Sequence, residues 1–131
     1  MMTLNPKAYL WCFNNTCESA CAIAEKLGLK KISHVNSKFK GGPEYTVINW
    51  GASTTPESVL KSRIINHPDK VKLAINKLKF FQTVGDKARC VPWTTEPEVA
   101  KGWLAEGSKV VCRQRIKGYE GKGIVICEPS T

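Results

Sequence analysis

No apolar run in this sequence approaches the ~20 consecutive residues that a membrane-spanning helix needs. The stretch Ala8–Phe13 is also too short for the apolar core of a secretory signal. The six cysteines, Cys12, Cys17, Cys21, Cys90, Cys112 and Cys127, contain no CxxC pair and no zinc-ribbon spacing. That pattern argues against a metal site and a disulfide framework, and for reduced cysteines in a cytoplasmic protein. Compact arginine-rich tracts are missing, as are RNP, helix-turn-helix and zinc-finger patterns, so nucleic acid ranks last among the partners. Acids are scarce, 11 against 20 lysines and arginines, and the formal charge of +9 asks for an anionic partner. A nucleotide or an acidic protein fits that demand, and no membrane partner is expected.

What is present suffices for a real core. Hydrophobic residues make up 42% of the 131 positions and include four tryptophans, enough for one domain or one and a fraction. Ala8–Phe13 reads as a strand buried on both faces, because it is apolar without alternation. Asn14 to Thr16 follow as a turn, with Thr16 as a helix N-cap. Cys17–Leu27 then reads as a helix stopped by Gly28, with Cys17, Ala20, Cys21, Ala24 and Leu27 on its inner stripe. Lys31–Val35 is a weaker strand, and Tyr45–Trp50 a stronger one. Pro56 opens a short helix after Thr55. This strand–helix rhythm predicts a small parallel sheet of three or four strands over residues 1–65. Ligands of such sheets bind beyond the strands' C-terminal ends, which places Asn14, Asn15, Asn49, Trp50 and Ser53 near a crevice.

Residues 66–131 read differently. A helix is expected from Asn66 to about Val84, with Val71, Ala74, Leu78 and Phe81 in a stripe at helical spacing. An extended segment, Val91–Thr95, follows. Thr95 and Glu98 then form a capping box, and Val99, Trp103 and Leu104 supply the next helix's buried face. The last quarter holds two β-prone runs around a loop containing Gly118, Gly121 and Gly123. Arg113, Arg115, Lys117 and Lys122 lie in or beside that loop. Glycines allow φ > 0 and close approach of the backbone to a ligand, and the cations favour a polyanion. Such a hairpin can close over phosphates.

The ordered set Asn66-His-Pro, Asn76-Lys-Leu, Val91-Pro-Trp-Thr-Thr95, Val110-Val-Cys-Arg113 and Gly118-Tyr-Glu-Gly-Lys-Gly123 resembles the front half of an ATP-grasp domain. Its nearest likeness is to bacteriophage-encoded ATP-grasp-like proteins akin to ribosomal-protein glutamate ligases. The resemblance implies an α/β fold: a pre-ATP-grasp-like sheet with flanking helices, then helices and a short antiparallel sheet of an incomplete ATP-grasp subdomain. It implies that ATP is held by Arg113 on the strand, by Gly118, Gly121, Lys122 and Gly123 on the lid, and by Lys77. Lys101 and Lys109 fall outside that set. Asn14, Asn49, Trp50 and Ser53 are the implied substrate side. The host cytoplasm is the implied location for a phage protein. The family's magnesium ligands come after the lid and are not found before Thr131. The chain is therefore expected to be the N-terminal portion of a carboxylate–amine ligase, inactive alone, with magnesium bound only if a C-terminal half or second chain supplies the ligands. The alternative is a shortened, non-catalytic basic module that engages an acidic protein or nucleic acid.

Overall fold

The computed structural model describes residues 7–117 and 120–129. The chain forms two compact units, Met1–Lys72 and Leu73–Thr131. The division thus falls inside a helix rather than at 65/66.

The first unit contains β1 (Ala8–Cys12), α1 (Glu18–Leu27), β2 (Lys30–Lys31), β3 (Thr46–Trp50), α2 (Glu57–Leu60) and β4 (Arg63–Ile65). All four strands are parallel, in the order β2-β1-β3-β4. The central pair runs from Ala8 opposite Thr46 to Cys12 opposite Trp50. Alternation along β1 sends Leu10 and Cys12 against Ala20 and Ala24 of α1. Trp11 goes to the other face, where Ile32, Val47, Ala52 and Val59 complete a second core. Coverage of both faces is why this run is apolar without alternation. The β2 strand is shorter than expected, and β4 had no clear signal in the sequence.

Local chemistry sets the ends of α1. Asn14 Oδ1 accepts the Thr16 amide at 3.0 Å and faces its hydroxyl at 3.4 Å, an Asx turn that occupies Thr16. The cap position passes to Cys17, which corrects the expectation for Thr16. At the other end Gly28 adopts φ 64°, and Leu29 N–H reaches Ala24 O at 2.7 Å, a left-handed closure that suits glycine. Ala20 and Ala24 face the core, whereas Cys21 is exposed and Leu27 is 40% exposed, so the inner stripe is narrower than the spacing suggested. Outside β1, His34 stacks on Trp11 with ring centroids 4.1 Å apart. Its Nε2 lies 2.6 Å from Cys12 O; a carbonyl only accepts, so Nε2 carries the proton.

The hydroxyl of Thr55 is buried without a hydrogen-bond partner. Thr55→Val keeps the side-chain shape and removes that unmet group, so it should raise stability by up to ~1 kcal/mol. A urea midpoint below that of the parent protein would contradict this.

The second unit holds the rest of α3 (Pro68–Ile75), which the division crosses, with α4 (Lys77–Val84), α5 (Pro97–Ala105), β5 (Val110–Arg113) and β6 (Ile124–Cys127). The single helix expected from Asn66 to Val84 is two helices. Asn76 leaves the helical region at φ −81° and ψ 98° and caps α4 through Lys79 N–H, at 3.1 Å. Asparagine competes with helix continuation in this way. Asn76 also bridges to Lys117, and Lys77 N–H binds Ile116 O at 3.1 Å. The Thr95–Glu98 capping box does not form either. Pro97 fixes the helix start, Glu96 takes the cap position, and Glu98 binds Lys101 at 2.6 Å.

The β5–β6 pair is antiparallel, with Val110 opposite Cys127 and Arg113 opposite Ile124. The turn needs positive φ at Glu120 (54°) and at Gly121 and Gly123 (both 73°). Among the described residues of this unit, Val110 is the one buried hydrophobic. No residue of α5 is buried, which corrects the expectation for Val99, Trp103 and Leu104. Among the described residues, no helix is long and apolar enough to cross a membrane.

Candidate functional site

The order β2-β1-β3-β4 reverses direction between β1 and β3, the switch point at which parallel sheets open a crevice beyond their C-terminal ends. A crevice of about 390 Å³ lies there, lined by Phe13, Cys17, Ser19, Asn49, Trp50, Gly51 and Asn66. Of the four residues expected on the substrate side, Asn49 and Trp50 line it. Asn14 and Ser53 are not among its lining residues.

Asn49 reaches the crevice wall with its hydrogen-bonding groups already engaged. It is 1% exposed. Its Oδ1 accepts Ala52 N–H at 3.1 Å, and its Nδ2 donates to Ala52 O at 2.7 Å and to Asn66 O at 2.9 Å. The Ala52 amide can only donate, so the orientation of the Asn49 amide is fixed by chemistry. Asn66, at φ 64°, answers with Nδ2 to Asn49 O at 3.1 Å. Asn49 therefore builds the crevice by tying the end of β3 to the end of β4. Trp50 is different: 37% exposed, with its indole nitrogen 3.1 Å from Ser19 Oγ.

In the second unit an open cleft of about 1150 Å³ runs between α4, the Val91–Thr95 segment, α5 and β5. Lys77 and Arg113, expected at phosphates from opposite ends of this unit, both line it, joined by Arg115. Its aromatic wall is Phe81, Trp93 and Trp103. Phe81 and Trp93 stack at 5.9 Å and 23°. Lys77 is half-buried and donates from Nζ to Ala74 O at 3.0 Å. Among the described residues, no ion pair involves Arg113 or Arg115.

The hairpin turn does not belong to this lining. Gly121, Lys122 and Gly123 are outside it, and Lys122 lies 3.8 Å from Glu120. Gly118 falls outside the described residues. Lys101 and Lys109, expected to lie apart, do line the cleft, but each holds an acid: Lys101 with Glu98 at 2.6 Å and Lys109 with Glu128 at 3.1 Å. Sequence reasoning missed Trp93 and Trp103 as cleft residues: Trp103 at helical spacing reads equally well as core, and Trp93 sits in an extended segment without a site pattern.

Glu96 is the one carboxylate of the cleft lining, and among the described residues no group of three or more His, Cys, Asp or Glu could hold a metal ion. Cationic and aromatic groups suit a nucleotide, whereas the described lining offers magnesium a single carboxylate. Compared with known proteins, the chain matches no family model, no curated protein and no solved structure.

Proposed function

We propose that the second unit binds a nucleoside polyphosphate, as part of an ATP site of an ATP-grasp-like carboxylate–amine ligase, and that the chain is inactive by itself. One observation carries this reading: Lys77, Arg113 and Arg115 share a cleft with Phe81, Trp93 and Trp103. Guanidinium groups pair with phosphate oxygens through charge-assisted bonds, and exposed aromatic faces accept a purine ring by stacking. Phosphoryl transfer needs charge neutralisation by metal, and the cleft lacks the carboxylates for it. Nucleotide binding without turnover is the expected behaviour.

The test is a titration of the full chain with ATP, followed by NMR at assigned amides and at the tryptophan indoles. Perturbation centred on Trp93, Lys77 and Arg113 is expected, with a dissociation constant on the order of millimolar, about −4 kcal/mol. Shifts scattered over all basic residues, or none, would defeat the nucleotide reading.

A second reading has its own support. Val111 and Ile126, paired opposite one another, are 56% and 62% exposed on one face of a two-stranded sheet, and apolar surface left open in this way marks an interaction face. Under this reading the unit is a basic docking module for an acidic protein, and the cleft's cations steer the partner. Failure of the nucleotide titration would leave this one standing.

A further inference from the structure

Cys17 lies at the mouth of the first unit's crevice, at the N-terminal end of α1, and the nucleotide reading gives it no task. A line of hydrogen bonds runs to it. Trp50 Nε1 can only donate, so at 3.1 Å it fills a lone pair of Ser19 Oγ. The hydroxyl keeps its proton and one lone pair for Cys17 Sγ, 3.3 Å away, so either atom can donate in that contact. A thiolate at Cys17 can only accept, and the Ser19 hydroxyl is within reach to donate to it. Ser19 first, and then the backbone N–H of Ala20, hold the Cys17 thiol below its ordinary range. The positive end of α1 acts in the same sense.

A second thiol lies beneath it. Cys17 packs against the core cluster that contains Cys12, and Cys12 is 2% exposed. Burial pushes the Cys12 thiol up, and the neighbouring Cys17 adds to that. The half-exposed thiol is therefore the more acidic of the two, and its buried neighbour the less acidic. Phe13 and Trp50, 59% and 37% exposed, flank the opening with apolar surface. The remaining cysteines are arranged otherwise. Cys21 is exposed and takes the Lys31 ammonium at 3.0 Å. Cys112 and Cys127 face one another at 3.5 Å, and that contact holds Cys127 above its ordinary range.

We propose that Cys17 and Cys12 form a thiol–disulfide exchange site, with Cys17 attacking, Cys12 resolving, and a low-molecular-weight disulfide of the glutathione type as substrate. The Cys17 thiolate attacks one sulfur of the disulfide. The substrate S–S bond breaks, a mixed disulfide forms on Cys17, and one thiolate leaves to take a proton from water. Cys12 then gives its proton to solvent and attacks Cys17 Sγ. The mixed disulfide breaks and the second thiolate leaves. Two protein thiols are oxidised to one disulfide while one substrate disulfide is reduced to two thiols. Attack by the lower-pKa, more accessible thiol is the faster direction for such exchange.

The experiment treats the reduced full chain with glutathione disulfide, quenches with acid and maps the products by mass spectrometry. The wild-type chain is expected to end with a Cys12–Cys17 link and no adduct. Cys12→Ser should accumulate one glutathionyl group on Cys17. Cys17→Ser should leave Cys12 unmodified, which keeps the test decisive if Cys12→Ser folds poorly. Ser19→Ala and Trp50→Phe keep both thiols; each should slow alkylation of Cys17 several-fold and raise the pH at which it is half-maximal. Cys12 from β1 bears on that pH, and Glu18 is the charged residue of the same helix turn. Modification of Cys21 as fast as Cys17, or a persistent wild-type adduct with no Cys12–Cys17 link, would overturn the assignment. So would unchanged alkylation in both Ser19→Ala and Trp50→Phe.

Discussion

Asn49→Ala is expected to lower the unfolding free energy of the first unit by roughly 3–5 kcal/mol, the largest effect of any single substitution considered. The substitution does more than delete a side chain. It leaves Ala52 N–H, Ala52 O and Asn66 O without the partners they have at 3.1, 2.7 and 2.9 Å, and each orphaned buried group costs ~1–3 kcal/mol. Asn49→Asp should be no better, because a carboxylate cannot donate to the two carbonyls. Asn66→Gly is the informative contrast. Glycine keeps the φ of 64° without strain and loses one part-buried bond to Asn49 O, a cost of ~1 kcal/mol. Urea denaturation followed by tryptophan fluorescence measures all three. If Asn49→Ala cost no more than Asn66→Gly, the tie between β3 and β4 would be incidental.

Arg113→Ala should weaken polyphosphate binding by about 10- to 100-fold, since charge-assisted contacts are worth ~1.5–3 kcal/mol. Starting from a millimolar constant, that places binding beyond detection. The fold should survive, because the Arg113 side chain is exposed and Val110 still anchors the strand. Arg113→Lys should recover part of the affinity, since lysine keeps the charge but not the two-pronged geometry. Lys122→Ala should matter less, because Lys122 is outside the cleft lining and beside Glu120. Lys87, exposed and also outside the lining, is the control. An equal loss from Lys87→Ala would reduce the attraction to diffuse positive charge. Isothermal titration with tripolyphosphate and with ATP separates phosphate contacts from stacking on Trp93.

Much of the fold was legible because local pattern and burial agree. β1 has no polar residue to turn outward, so a strand covered on both sides was the sole sheet position open to it. Gly28 closes α1 because its φ of 64° is costly for other residues. The hairpin was legible for a like reason, with Gly121 and Gly123 at positive φ between two β-prone runs. Where the reading failed, a side chain with two uses took the less local one. Asn76 reads as a helix interior by spacing, yet it caps the next helix and pairs with Lys117. Thr16 has the chemistry of a cap, but Asn14 claims it first. Trp103 and Leu104 have helical spacing for a core and line a cleft instead.

By itself, the sequence determined the α/β class, the parallel and antiparallel halves, the positive charge and the glycine turn, all of which follow from residue type and short-range periodicity. Tertiary structure alone decided which distant groups meet. It brought Lys77 and Arg113 to one cleft and left Lys122 outside it. It engaged both donors of Asn49 inside the fold, and it set Trp50, Ser19 and Cys17 in one hydrogen-bonded line. The physical reason is that a hydrogen bond or a shared cleft depends on the path of the backbone between its partners. Spacing along the chain does not encode that path.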